Sequence, residues 1–293
     1  MNGTTSFDQG LGDAVDAVRD EEATRGDGLA ARLRVLGPPL LVLALFLAAW
    51  YFASTRLLDP DRAFLLPPPD AVLTEGLLAE KPRGEILAGL LESTKVALTG
   101  LGIAFLIGST MALAMSQAKW IERSLYPYAV ILQTVPILAI VPLLGFWFGF
   151  GFTSRVVVCV IIALFPLVIN TLNGLLSADG GLHDLMTIHD ASRWTRLSKL
   201  QIPAALPDLF VGLRTSAGLS VIGAIVGDFF FGRGTPGLGM LLSRYASRLS
   251  SEALLAAVLV SCLLGVAVFS LFGAIGRRAV GDWAETRSHP GAS

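Results

Sequence analysis

Asp184–Pro207 reads DLMTIHDASRWTRLSKLQIPAALP, a polar, helix-prone stretch set between two long apolar runs. It carries Arg193, Arg196 and Lys199 and closes on Ile202-Pro203-Ala204-Ala205-Leu206-Pro207. Its pattern predicts a short helix over 181–189 and a second over 191–200, with Asp190 between them as a cap for the second. Pro203 and Pro207 are expected to break regularity before the next apolar run begins. Two readings stand open for this hairpin. It enters a groove on a soluble partner, or it lies as an amphipathic loop on the membrane surface, which suits Arg193, Trp194, Arg196 and Lys199.

The apolar runs on either side belong to a chain of 293 residues that is 53% hydrophobic and 15% charged. Soluble domains carry about 25% charged residues, and the mean hydropathy here is +0.66. The composition is that of a polytopic membrane protein. A net charge of -1 gives no basic footprint for nucleic acid. Cys159 and Cys262 fall inside apolar runs without clustered His or carboxylate, so they are expected to be buried small hydrophobes, not metal ligands or a disulfide framework. Residues 1–35 are polar and acidic and are expected to be a largely disordered cytoplasmic tail, with no basic flank of a signal peptide. Residues 279–293 form a second short polar tail.

A spanning helix needs about 20 apolar residues. Six runs qualify, at 36–54, 94–115, 126–148, 155–177, 208–230 and 254–276. Gly100, Ala104, Gly108 and Ala112 recur every four residues along the second, and Gly223 and Gly227 form a GxxxG pair on the fifth. Such stripes let another backbone approach closely. Residues 55–89 form the first outer loop, with a stiff Leu66-Pro67-Pro68-Pro69 piece and a helix opened by Asp70 as N-cap. The 22 basic residues divide thirteen to nine in favour of the side holding both termini and the 184–207 hairpin, which places that side in the cytoplasm.

Polar side chains inside spans are expensive and need a reason. They are Gln133 and Thr134 on the third; Asn170, Thr171 and Asn173 on the fourth; and Arg214, Ser216, Ser220 and Asp228 on the fifth. Each either bonds a neighbouring helix or lines a pathway. Asp228, near the outer end of the fifth span, is a gate residue or reaches outer water. Arg214 snorkels, pairs with an acid or supports the hairpin. No His lies within a span to build a relay. Pro136 predicts a kink in the third span, and the aromatic run Phe146–Phe152 an interfacial belt.

Further fragments recur in order: Val135-Pro136, Val141-Pro142-Leu143-Leu144, Trp147-Phe148-Gly149, Phe165-Pro166 with Asn170-Thr171, Ala191-Ser192-Arg193, Gly212-Leu213-Arg214 and Gly237-Leu238-Gly239. With the hairpin, they make residues 90–278 resemble the transmembrane domain of binding-protein-dependent ABC importer permeases of type I, in the nitrate, sulfonate and taurine branch that also serves pyrimidine and flavin precursors. The resemblance implies an all-α membrane fold of six transmembrane helices with a cytoplasmic coupling-helix loop. It implies a permease subunit of an ATP-driven importer in the bacterial cytoplasmic membrane, working as a likeness of the family does: as a homodimer, with two ATPase subunits and an extracytoplasmic substrate-binding protein. His183, Asp184, Leu185, Met186, His189, Asp190, Ala191, Ser192 and Arg193 would then contact the ATPase. Gln133, Thr134, Asn170, Asn173, Ser216, Ser220 and Asp228 are the pathway candidates. The chain departs from the family where Asp184-Leu185-Met186 replaces Glu-Ala-Ala, Asp190 replaces Gly, and Asp228 replaces a Glu. No Gly-Lys pair occurs, hence no GxxxxGK[ST] loop, and ATP with its Mg is expected on the partner. The rival readings are an ATPase-independent secondary transporter or channel and, less well supported, an intramembrane enzyme, for which no nucleophile–base or metal constellation is visible.

Overall fold

A computed structural model describes residues 37–231 and 233–281. The tail expected over 1–35, and all but the start of the one expected over 279–293, lie outside the described residues. Every regular element described is helical. The chain divides into two units, one up to Pro69 and one from Asp70 onward.

The first unit is the spanning helix α1 (Gly37–Leu57) and a return loop. Pro38 and Pro39 sit in its first turn, where their missing N–H groups cost nothing. Trp50 Nε1 donates to Pro67 O at 3.1 Å and ties the loop back along α1.

The second unit contains α2 (Glu80–Gln117), α3 (Lys119–Thr134), α4 (Ile137–Phe148), α5 (Phe152–Leu176), α6 (Gly180–Ile188), α7 (Arg193–Phe230), α8 (Leu238–Ser247) and α9 (Ser251–Val280). Asp70 lies inside the short helix Pro69–Ala71, so it does not cap it as expected. Among the described residues, five helices are long and apolar enough to cross a membrane, or six if the bent pair α3–α4 forms one span. The bend expected at Pro136 is present and is far sharper than a kink. Val135 and Pro136 adopt extended backbone and the two helices meet at 101°, because Pro136 donates no hydrogen bond and forces the residue before it out of helical angles.

The core is α5 packed along α7, with α2 laid over both. Small residues make the approach possible. A Cβ on Gly100 of α2 would strike Cys159 Cβ of α5, and one on Gly223 of α7 would come within 2.8 Å of Cys159 Cα from the opposite side. Gly108 meets Leu167, and Gly227 meets Arg155, in the same manner. Cys159 is thus buried between two glycines, whereas Cys262 is exposed, against the expectation of burial; it lines an open cavity between α7 and α9.

The break expected at Pro203 and Pro207 does not occur. Leu197–Gln201 widens into a π-helical turn, with Ile202 N bonded to Leu197 O, and the helix then continues from Ile202 to Phe230. The wider turn moves the backbone away from the ring of Pro203, so the proline is absorbed without a break. Of the aromatic belt, Phe146, Trp147 and Phe148 are exposed as expected, but Phe150 turns inward and packs edge-on against buried Phe231, centroids 6.1 Å apart.

Two alanine substitutions separate packing from helix propensity. Gly100→Ala has no room beside Cys159 and is expected to lower stability by about 1–3 kcal/mol. Gly102→Ala meets nothing within 4 Å and is expected to leave it unchanged or raise it by about 0.5–1 kcal/mol. Thermal unfolding of the two variants in detergent checks the opposite signs.

Candidate functional site

The polar stretch that opened the reading folds as a capped helical hairpin. Asp179 Oδ1 accepts from Gly181 N at 2.7 Å and Leu182 N at 3.4 Å, satisfying two free N–H groups at the start of α6. At the other end Asp190 N bonds Thr187 O at 3.1 Å and Ala191 N bonds Met186 O at 2.9 Å. These two bonds form a Schellman closure. Asp190 holds its pivotal position at φ +47°, in the left-handed region. Asp190 therefore closes the first helix and is not the cap of the second. That role belongs to Ser192, whose Oγ accepts from Thr195 N at 3.1 Å. Arg196 staples the two legs, donating from Nη2 to Thr187 Oγ1 at 3.0 Å and from Nε to Ala191 O at 3.3 Å.

The hairpin points two kinds of residue outward. Leu182, Leu185 and Ile188 follow one another at spacings of three on one face of α6 and are exposed, Ile188 by 78%, with Trp194 beside them in sequence at 73%. Asp184, His189, Asp190, Ser192 and Arg193 are also exposed; His183, Met186 and Ala191 are half-buried. The base is fixed: Leu197 enters a buried cluster with Leu172 and Leu175 of α5, Met115 of α2 and Ala129 of α3. From Arg193 the helix runs unbroken for 38 residues, about 57 Å at 1.5 Å per residue.

At the far end of that helix stands the residue that sequence reasoning put in a pathway or gate. Asp228 is 2% exposed and pairs with Arg155 Nη1 at 2.8 Å. Its carboxylate also accepts from Gly237 N at 3.3 Å and Met240 N at 3.2 Å, so it caps α8 from a neighbouring helix. Ser93 Oγ of α2 takes Leu238 N at 2.8 Å. Arg155, 1% exposed, donates from Nη1 to the carbonyl of Thr235 and from Nη2 to those of Phe231 and Arg233, at 2.9–3.0 Å, while its Nε is buried without a partner. Gly237 and Gly239 have no space for side chains: a Cβ at 237 would meet Asp228 and Ser93, and one at 239 would meet the backbone of α7 at Ile225. Tyr245 of α8 donates to Glu85 Oε2 of α2 at 2.8 Å, and burial, with that carboxylate beside it, pushes its phenol up. Arg155 and Ser93 were not singled out from sequence, and Gly237-Leu238-Gly239 was noted there only as a fragment and not as a partner of Asp228. The available signal was two opposite charges, Arg155 and Asp228, both near the outer ends of adjacent spans.

The pathway candidates therefore separate. Asp228 is sealed in an ion pair and lines no open space. Ser216 and Ser220 are both fully buried in the α5–α7 seam of this chain, Ser216 donating to Ala163 O at 2.7 Å and Ser220 to Ala217 O at 2.8 Å. The seam is closed by Gly212, Gly223 and Gly227, so a small hydroxyl there bonds a carbonyl and reaches no water. Asn170 is half-buried under Gly212, its amide bonded to Pro166 O at 2.8 Å. Gln133, Thr134 and Asn173 are exposed on this chain. Arg214 lies over the Phe269 ring, 4.0 Å from its centroid.

Breaking the Arg155–Asp228 pair from one side leaves a buried unpaired charge, which costs about 3–5 kcal/mol. Arg155→Met and Asp228→Leu are each expected to show that loss, and the double variant to recover a large part of it, in thermal unfolding of the full chain. For the turn, Asp190→Gly removes a left-handed penalty of about 1 kcal/mol; amide exchange of residues 180–196 is expected to slow several-fold.

Residues 104–281 match the family described as binding-protein-dependent transport system inner membrane component. The riboflavin transport system permease protein RibX of Chloroflexus aurantiacus is 32% identical over 84% of this chain and 89% of its own length. The taurine transport system permease protein TauC of Escherichia coli is 28% identical over 81% of this chain and 85% of its own. A solved chain of the MetNI methionine ABC transporter, in an inward-facing conformation, shares the fold with a TM-score of 0.61 at 17% identity, over 69% of this chain and 99% of that one. The spans, the capped hairpin and these likenesses agree: the chain belongs to the binding-protein-dependent transport system inner membrane component family, the permease subunits of ABC importers, and is a transporter subunit and not an enzyme.

Proposed function

We propose that the α6–α7 hairpin is the seat of a separate ATPase, which binds ATP and Mg and drives the permease through α7. The observation that carries this reading is the continuity of Arg193–Phe230 with the hairpin's second leg. A push on Ile188 or Trp194 meets no loose joint before the outer knot at Asp228. The exposed Leu182, Leu185 and Ile188 stripe supplies the apolar anchors that a protein groove would cover.

In this reading the hairpin and both termini face the cytoplasm of a bacterial cell, and two copies of the chain enclose the pathway between two ATPases and an extracytoplasmic substrate-binding protein. The cargo is a small nutrient, a sulfonate- or taurine-like anion or a pyrimidine- or flavin-type precursor, of the classes carried by the named relatives and their branch. Gln133, Thr134 and Asn173, exposed on the single chain, are the side chains left to line that pathway, with Asn170 behind them.

The decisive comparison is co-purification and uptake. Leu185→Asp and Ile188→Asp are expected to weaken ATPase retention at least ten-fold and to abolish ATP-dependent uptake, because each buries a carboxylate in the covered groove. Full retention and uptake in both, or solute movement by the purified chain alone in liposomes, would sink the ATPase-driven reading in favour of a secondary transporter or channel.

A further inference from the structure

Between α7 and α9, two adjoining cavities share one helix pair. The first, about 380 Å³, lies toward the hairpin end and is lined by Phe210 and Arg214 of α7 with Gly273, Gly276 and Arg277 of α9. The second, about 600 Å³, continues away from the hairpin along Thr215 to Ile225 of α7, facing Cys262, Gly265 and Phe269. Its lining is almost wholly apolar, and Gly218 and Gly265 leave it open, with nothing within 4 Å of a Cβ at 265. The eleven residues from Thr215 to Ile225 span about 15 Å, the depth of one leaflet.

Arg214 marks the boundary between the two. Phe269, which lines the apolar cavity, lies beneath its guanidinium at 4.0 Å, and its stem crosses Gly273, where a Cβ would come within 3.1 Å of Nε. The glycine thus makes room for the arginine and the ring holds it in place. Among the described residues, no carboxylate lies within ion-pair distance of Arg214 or Arg277. Two fixed cations therefore stand at the head of an apolar groove one leaflet long.

We propose that this groove binds an anionic glycerophospholipid of the hairpin-side leaflet, its phosphate on Arg214 and Arg277 and one acyl chain along Thr215–Ile225. The arginines select charge, and the groove distinguishes a lipid from a free anion. A lipid seated there bridges α7 to α9 at the end nearest the hairpin.

The test titrates the full chain in detergent with dioleoylphosphatidylglycerol, dioleoylphosphatidylcholine or inorganic phosphate, reading bound lipid by native mass spectrometry and stability by thermal unfolding. The phosphatidylglycerol is expected to bind at least five-fold more tightly than the choline lipid and to raise Tm, with phosphate doing neither. Arg214→Gln and Arg277→Gln are each expected to weaken phosphatidylglycerol binding roughly five-fold, from about 1 kcal/mol per cation, while Arg123→Gln leaves it unchanged. Equal binding of the two lipids by the unaltered chain overturns the proposal, independently of any variant's folding. So does stabilisation by phosphate alone, which makes the cations a free-anion site. Efficient Cys262–Cys262 cross-linking of two copies in native membranes also overturns it, because a second chain then fills the groove.

Discussion

The ion pair of Arg155 and Asp228 organises the end of the bundle away from the hairpin. Neither group survives burial alone, since an uncompensated charge in a low-dielectric interior costs several kcal/mol. Together they solve a wider problem. After α7 ends, the chain must turn and start α8, leaving carbonyls at one helix end and N–H groups at another without partners. Arg155 takes the carbonyls of 231, 233 and 235, and Asp228 takes the N–H groups of 237 and 240. One salt bridge thereby closes α5, α7 and α8 into a single node, and Ser93 adds α2.

Between that node and the hairpin, the helices are held by closeness more than by polar bonds. Glycines on α2 and α7 press on opposite sides of Cys159, and the seam they make excludes water from Ser216 and Ser220. Without solvent to drive association, close van der Waals contact is the main attraction available to membrane helices. The same seam makes α5 and α7 one stiff body. In the function proposed above, force applied at the hairpin would travel along this body to the Arg155–Asp228 node at its far end.

The hairpin tolerates its unusual residue for a local reason. Asp190 keeps the left-handed turn that glycine adopts more cheaply, because two backbone bonds and the Arg196 staple over-determine the geometry. Glycine's usual place was legible in the chain; the persistence of the same turn with aspartate was not, since it depends on partners nine residues apart.

The amino-acid sequence by itself determined that the chain crosses a membrane repeatedly, where its apolar runs lie, which faces carry small residues, and that a polar hairpin interrupts the spans. All of these follow from local composition and periodicity, which act over a few turns. Tertiary structure alone decided that Pro136 breaks a span by 101° while Pro203 breaks nothing, because a bend depends on what packs around the freed carbonyl. It also decided that Asp228 is buried in an ion pair and holds the start of α8. Its partner Arg155 is 73 positions away along the chain, and only the packing of α5 on α7 removes both from water.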